Sequence, residues 1–151
     1  MKKFRLQHSG FAVDELYGFL VEVDNLFPIH LSQKIDLRIL AEKYFNSGDC
    51  IGICDDNGEI VALVAGYIND RNRHCAYISV LAVKPQFQGL GFSKKLLSSF
   101  IRLVINHGFK IIAVYTHKTN CKAYKVYYDL GFRVSNENKE RRDDYYLIKE
   151  L

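Results

Sequence analysis

The chain is 151 residues long, with 48% hydrophobic and 25% charged residues and a formal net charge of +4. Its length fits one domain, residues 1–151, with a core of its own, and its composition excludes a disordered, collagen-like or Pro-rich protein. The positive charge is mild and scattered, which suits an anionic ligand but gives no reason to expect nucleic acid.

Residues 12–27 predict a helix, because Val13, Leu16, Leu20 and Val23 recur at intervals of three and four, and Pro28 closes it. A second helix follows Asp36, a suitable N-cap, with Leu37, Leu40, Ala41, Tyr44 and Phe45 on one face. Gly48 stands where a left-handed residue would end it. Residues 50–54 and 59–67 are short β-rich runs joined through Asn57-Gly58, a hairpin signal because both residues tolerate positive φ. Residues 75–83 are apolar on both faces, as a central strand requires. After Pro85 come Gly89-Leu90-Gly91 and a helical stretch to His107, with Leu96, Leu97, Phe100, Ile101, Val104 and Ile105 on its apolar face. Residues 110–116 form another strand. A last helix follows Asn120 with Ala123, Val126, Tyr127 and Leu130 inward, and two strand-like runs flank a polar segment, residues 136–144. The predicted class is α/β, with a mixed sheet.

The four cysteines, Cys50, Cys54, Cys75 and Cys121, offer no converging set of zinc ligands, so no metal is expected and they read as small apolar thiols. The N-terminal residues carry charge without an apolar run, and no stretch is long and apolar enough to span a membrane. A reducing cytoplasm is the expectation.

The informative stretch is Val83-Lys84-Pro85-Gln86-Phe87-Gln88-Gly89-Leu90-Gly91-Phe92-Ser93-Lys94, where a strand ends and a helix begins. Free N–H groups and the dipole at a helix start favour phosphate. The bland alternative is a tight turn. Gly91 is followed by Phe92-Ser93 rather than Gly-Lys-Ser/Thr, so this is not a P-loop. A dinucleotide fingerprint fails as well, for want of a third glycine and a downstream acidic residue.

Val83-x-Pro85 followed by Gln88-x-x-Gly91-x-Ser93 resembles the signature of the GNAT superfamily of acetyl-CoA-dependent N-acetyltransferases, with Ser93 in place of the usual Gly or Ala. Asn120-x-x-Ala123-x-x-x-Tyr127-x-x-x-Gly131-Phe132 is similar to the same family's C-terminal motif. The resemblance implies a mostly antiparallel mixed sheet that splays apart after Val83 and is flanked by about four helices. It implies acetyl-CoA as co-substrate, with Leu81, Ala82 and Val83 pairing along pantetheine. Gln88, Gly89, Leu90, Gly91, Phe92, Ser93 and Lys94 would wrap the pyrophosphate, and Asn120 would bond to the pantetheine arm. Tyr127 would be the general acid for the leaving thiolate, and a backbone N–H at a strand bulge near Leu81 would serve the oxyanion.

The local alternatives are core strand packing for Leu81 and Val83, an N-cap for Asn120 and a core aromatic for Tyr127. A general base is not assigned. The family's carboxylate position on the strand before the turn is held by Ser79, which could hold a water; Glu22, Asp24, His30 and His117 are the other candidates. The acceptor pocket of this fold falls on residues 25–30 and 136–144, and Arg141 or Arg142 would meet an anionic acceptor such as a sugar nucleotide or an amino acid. A small-molecule amine is the expected acceptor, with no nucleic-acid or membrane partner, and the resemblance is compatible with a homodimer. The rival reading is a CoA-binding module of the same fold without catalysis.

Overall fold

A computed structural model describes residues 2–137 and 141–151. Asn138, Lys139 and Glu140, part of the polar segment read above as an acceptor loop, lie outside the described residues.

The chain begins with β1 (Arg5–His8), a short half-exposed edge strand that the sequence pattern did not announce. Helix α1 (Val13–Val23) buries Leu16, Phe19, Leu20 and Val23, while the Glu15 carboxylate accepts from the Ala12 N–H at 2.9 Å. The α-helix stops at Val23, short of the expected Phe27, and tightens into a 3-10 turn over Asp24–Leu26. The Asp24 carboxylate accepts from the backbone N–H and hydroxyl of Ser32 there, which pins the following loop. Helix α2 (Leu37–Ser47) starts at Asp36, whose Oδ1 accepts from the N–H groups of Arg38 and Ile39. Gly48 ends α2, but with φ at −90° rather than left-handed. The chain needs glycine there because a Cβ would stand 2.8 Å from Tyr44 Cα.

Strands β2 (Asp49–Cys54), β3 (Ile60–Asp70) and β4 (Cys75–Val83) form the expected antiparallel meander. In the first hairpin only Gly58 takes positive φ; the Asn57 N–H instead donates to Asp55 Oδ1. Helix α3 (Phe92–Asn106), β5 (Ile111–His117), α4 (Cys121–Asp129), β6 (Arg133–Val134) and β7 (Asp144–Glu150) complete the chain. The sheet runs β1-β2-β3-β4-β5-β7-β6, antiparallel throughout except where β4 meets β5.

Helices α1 and α2 pack Leu16, Leu20, Leu40 and Tyr44 onto Cys50, Leu63, Ala65, Val80 and Ala82 on one face. Helix α3 packs Leu96, Leu97, Phe100 and Val104, and α4 packs Tyr127, onto Ile51, Val64, Ile78, Val83 and Val114 on the other. Burying one such aliphatic or aromatic side chain is worth about 1.5–3 kcal/mol, so both faces contribute.

Two irregularities in β4 shape everything that follows. The register with β3 steps from Ala65↔Val80 to Gly66↔Ile78, so Ser79 is an extra, bulged residue. The bulge therefore sits at Ser79, two residues before the position expected near Leu81. It inverts the alternation of β4: Ala76 and Ile78 face the α3 side before it, Val83 after it. Gly66 makes this possible, since a Cβ there would overlap the Tyr77 carbonyl oxygen and stand 2.8 Å from Phe100 Cζ.

The second irregularity is that β4 pairs with β5 only through Cys75–Ile78 against Ile111–Val114. Beyond this point β5 stays with β7, where Tyr115↔Tyr146 and His117↔Asp144 remain in register. The strands thus part at Ser79, not after Val83 as the sequence suggested.

Candidate active site

From Ser79 to Val83, β4 has a partner on one edge alone. The Lys84 N–H donates to the Val61 carbonyl at 2.9 Å, so by strand alternation Ala82 and Val80 also address β3. Leu81 and Val83 then turn their backbone groups to the open side. The Gln88 amide, whose Nε2 donates to the Val83 carbonyl at 3.2 Å, reaches that side from the turn.

The turn after β4 is built by Pro85 at the start of a 3-10 segment, then Gly89 and Gly91 at φ +83° and +80°. Only glycine adopts these angles at low cost, and open space lies where either Cβ would be. Gly91 is the N-cap of α3 and offers no side chain. The first bond of the helix runs from the Lys95 N–H to the Gly91 carbonyl, so the N–H groups of Phe92, Ser93 and Lys94 have no carbonyl within the helix. A 15-residue helix thus presents uncapped donors and its positive dipole end at the foot of the open strand edge.

These features enclose a cavity of about 480 Å³. Of the residues singled out from sequence, Leu81, Ala82, Val83, Gln88, Gly89, Gly91, Phe92, Ser93, Lys94 and Asn120 line it. Leu90 does not; it points outward at 58% exposure, because the turn directs its side chain away from the cleft. Leu26, Phe27, Phe87, Lys122, Ala123 and Val126 also line the cavity; Phe27 belongs to residues 25–30, expected at the acceptor pocket, whereas no local pattern marked Lys122. Lys94 carries an ion pair to Asp129 at 3.2 Å, a carboxylate that Lys125 and Lys94 together hold below the usual range.

A second cavity of about 220 Å³ adjoins the first, sharing Phe27, Leu81, Asn120 and Ala123 with it. Tyr127 lines this smaller space. Its side chain is buried against Phe132, with ring centroids 5.4 Å apart, yet no hydrogen-bond partner reaches its hydroxyl among the described residues and the hydroxyl is not sealed off. Burial, reinforced by the neighbouring Tyr77, raises its pKa above the ordinary phenol value, so the group keeps its proton. The packing role and the placement in the cavity hold together.

Asn120 combines two placements as well. Its Oδ1 accepts from the Ala123 N–H at 3.2 Å as an N-cap, and the residue touches both cavities.

The base candidates separate clearly. Glu22 pairs with the buried Lys84 at 3.1 Å, Asp24 is engaged by Ser32, and neither they nor His30 line either cavity. Asp24 sits below its ordinary pKa: burial opposes the shift, but the Ser32 hydroxyl and N–H and the charge of His30 outweigh it. Ser79 lines the smaller cavity with its Oγ 2.6 Å from the Tyr44 hydroxyl. Tyr44 is buried and its pKa is raised, chiefly by that burial. His117 is also in the wall, but its Nδ1 is engaged by Thr119, 2.7 Å from the hydroxyl oxygen and 3.2 Å from the backbone nitrogen.

One carboxylate of the acceptor segment, residues 136–144, had no role of its own assigned from sequence. Asp144 lines the smaller cavity at 16% side-chain exposure, opposite His117, because β7 returns antiparallel beside β5. Its local setting among charged residues looks like a solvated loop, and only sheet register brings it inward. Arg141 lines the cavity while Arg142 does not.

Among the described residues no cluster of three or more His, Cys, Asp or Glu could hold a metal, and no helix is long and apolar enough to cross a membrane.

Comparison with known proteins gives a consistent answer. The model of the acetyltransferase (GNAT) family matches residues 18–132. A GNAT-family acetyltransferase from Staphylococcus aureus superposes with a TM-score of 0.77 at 19% identity, over 97% of this chain and 99% of its own. The PaiA N-acetyltransferase of Thermoplasma acidophilum, solved with coenzyme A, gives 0.75 at 16% identity over 97% and 99%. A Bacillus subtilis acetyltransferase, also solved with CoA, gives 0.74 at 21% over 99% of each chain. No curated protein sequence matches.

Proposed function

The chain belongs to the GNAT acetyltransferase family, and from that premise we propose that it transfers an acetyl group from acetyl-CoA to the primary amine of a small molecule. The observation that carries this reading is the meeting of an unpaired strand edge, an uncapped helix start and a proton-bearing phenol at two joined cavities.

The residues fit acetyl-CoA chemically. Pantetheine is a chain of amides, and the outward backbone groups of Leu81 and Val83 offer it the hydrogen bonds that β5 no longer makes. Its pyrophosphate suits the N–H groups of Phe92, Ser93 and Lys94, with Lys94 and Lys122 supplying positive charge nearby. Ser93 brings a hydroxyl to this cradle. Asn120, at the junction of the cavities, has its side-chain NH₂ left to donate toward the pantetheine arm.

The smaller cavity receives the amine. The acceptor ammonium first gives one proton to water, which frees its lone pair. As the nitrogen–carbon bond then forms and the carbon–sulfur bond breaks, the departing sulfur takes the phenolic proton of Tyr127, and the second proton shed by the nitrogen restores the phenol. A phenol whose pKa is raised by burial is still protonated at neutral pH, as a general acid must be.

The test has two parts. Calorimetric titration with acetyl-CoA should show binding at a single site, and mass spectrometry should detect one acetyl group on an amine from a panel of amino acids, amino sugars, sugar nucleotides, polyamines and peptides. Binding without transfer to any of them would favour a CoA-binding module. Absence of binding would refute the reading altogether.

A further inference from the structure

Resting on that reading, we propose that the acceptor is a free α-amino acid, its ammonium held by Asp144 and its carboxylate by Arg141. Asp144 is the one carboxylate lining the smaller cavity among the described residues, against the cationic Lys34 and Arg141. A polyamine would need several carboxylates along its path, and among the described residues this wall offers one. An amine without an anionic group would bring no counter-charge to Lys34 and Arg141, which share Asp144 alone among the carboxylates of the described wall.

The arrangement of the pair matches a zwitterion. Arg141 Nη1 lies 3.7 Å from Asp144 Oδ2, longer than the roughly 2.7–2.9 Å of a charge-assisted hydrogen bond, so neither group exhausts the other. The guanidinium is held in orientation by stacking 3.9 Å over the Tyr115 ring, and Asp144 is fixed at the first position of β7 opposite His117. An α-amino acid carries its ammonium and carboxylate on one carbon, so the two charges reach adjacent partners of opposite sign together. The Tyr77 and Tyr115 rings beside the pair provide the surface for an apolar or aromatic side chain.

The probes are L-phenylalanine, L-leucine, phenethylamine and spermidine, each with acetyl-CoA, read by mass spectrometry with initial rates. L-Phenylalanine or L-leucine should exceed phenethylamine and spermidine in kcat/KM by about tenfold or more, because a site built around a charged partner penalises the analogue lacking it. Arg141→Met should cut amino acid kcat/KM by about tenfold through KM and narrow the preference for amino acid over phenethylamine by about the same factor, with acetyl-CoA affinity unchanged. Phenethylamine or spermidine used as well as the amino acids, or an equal loss for all four in Arg141→Met, would overturn the assignment. So would bound acetyl-CoA with no acetylated amino acid. Failure to bind acetyl-CoA would instead bring down the reading beneath it.

Discussion

Replacing Tyr127 by Phe removes one oxygen and isolates the proposed chemistry. The hydroxyl has no hydrogen-bond partner among the described residues, and the ring keeps its edge-to-face contact with Phe132. No native bond is lost, so the stability change should stay below about 1 kcal/mol, within about 4 °C in Tm. Tyr127→Ala would be uninformative, because deleting a buried ring costs about 3–5 kcal/mol. General acid catalysis is worth about 10²–10⁴ in rate. The hydroxyl is not sealed from solvent, so water can partly replace it, which points to the lower end, a fall in kcat of about 100-fold. The assay is steady-state thiol release at saturating acetyl-CoA and acceptor, with calorimetric affinity for acetyl-CoA and a thermal melt as controls. The expected result is a large loss of kcat with unchanged affinity and Tm. A kcat within about threefold of the parent protein would refute the acid role and leave Tyr127 as a packing residue.

Two other outcomes follow from the geometry. Gly66→Ala should lower Tm by about 2–12 °C in a thermal melt, because the added methyl meets the Tyr77 carbonyl and Phe100 and costs about 1–3 kcal/mol; an unchanged melt would mean that the bulge does not depend on this close approach. Cys50 is buried, and that burial, followed by the charge of Asp49, pushes its thiol up to about 12 from the ordinary value of 9.0. A folded pKa raised in this way gives stability that is complete below the unfolded pKa and lost as pH rises through the folded one. Tyr44 and Tyr127 shift in the same direction. Tm should therefore hold steady from pH 7 to about 9 and fall above that, while iodoacetamide at pH 8 labels the exposed Cys121 well before Cys50. Equal labelling rates for the two thiols, or a Tm that rises above pH 9, would contradict this.

By itself the sequence determined the local elements of the candidate site. Asp36 and Asn120 are N-caps because a short acceptor side chain reaches the N–H two or three residues on, an interaction set within one turn. Gly89 and Gly91 take left-handed φ, and the donors of α3 face the turn, for similarly local reasons. Almost all of the larger cavity was readable because it is lined by one contiguous stretch, Leu81 to Lys94, plus the start of α4.

Only the tertiary structure decided the rest. The bulge at Ser79 follows from the clearance across Gly66 to the neighbouring strand and to Phe100, contacts between distant segments. The parting of β4 from β5 reflects β5 continuing with β7 instead, a choice between partners far apart in sequence. That same pairing carries Asp144 from what looks like a charged loop into the smaller cavity, and the Lys84 ion pair engages Glu22, which lines neither cavity. Caps and turns are fixed by neighbours along the chain; which strand edge stays open, and which charges face it, depends on how distant strands settle their register.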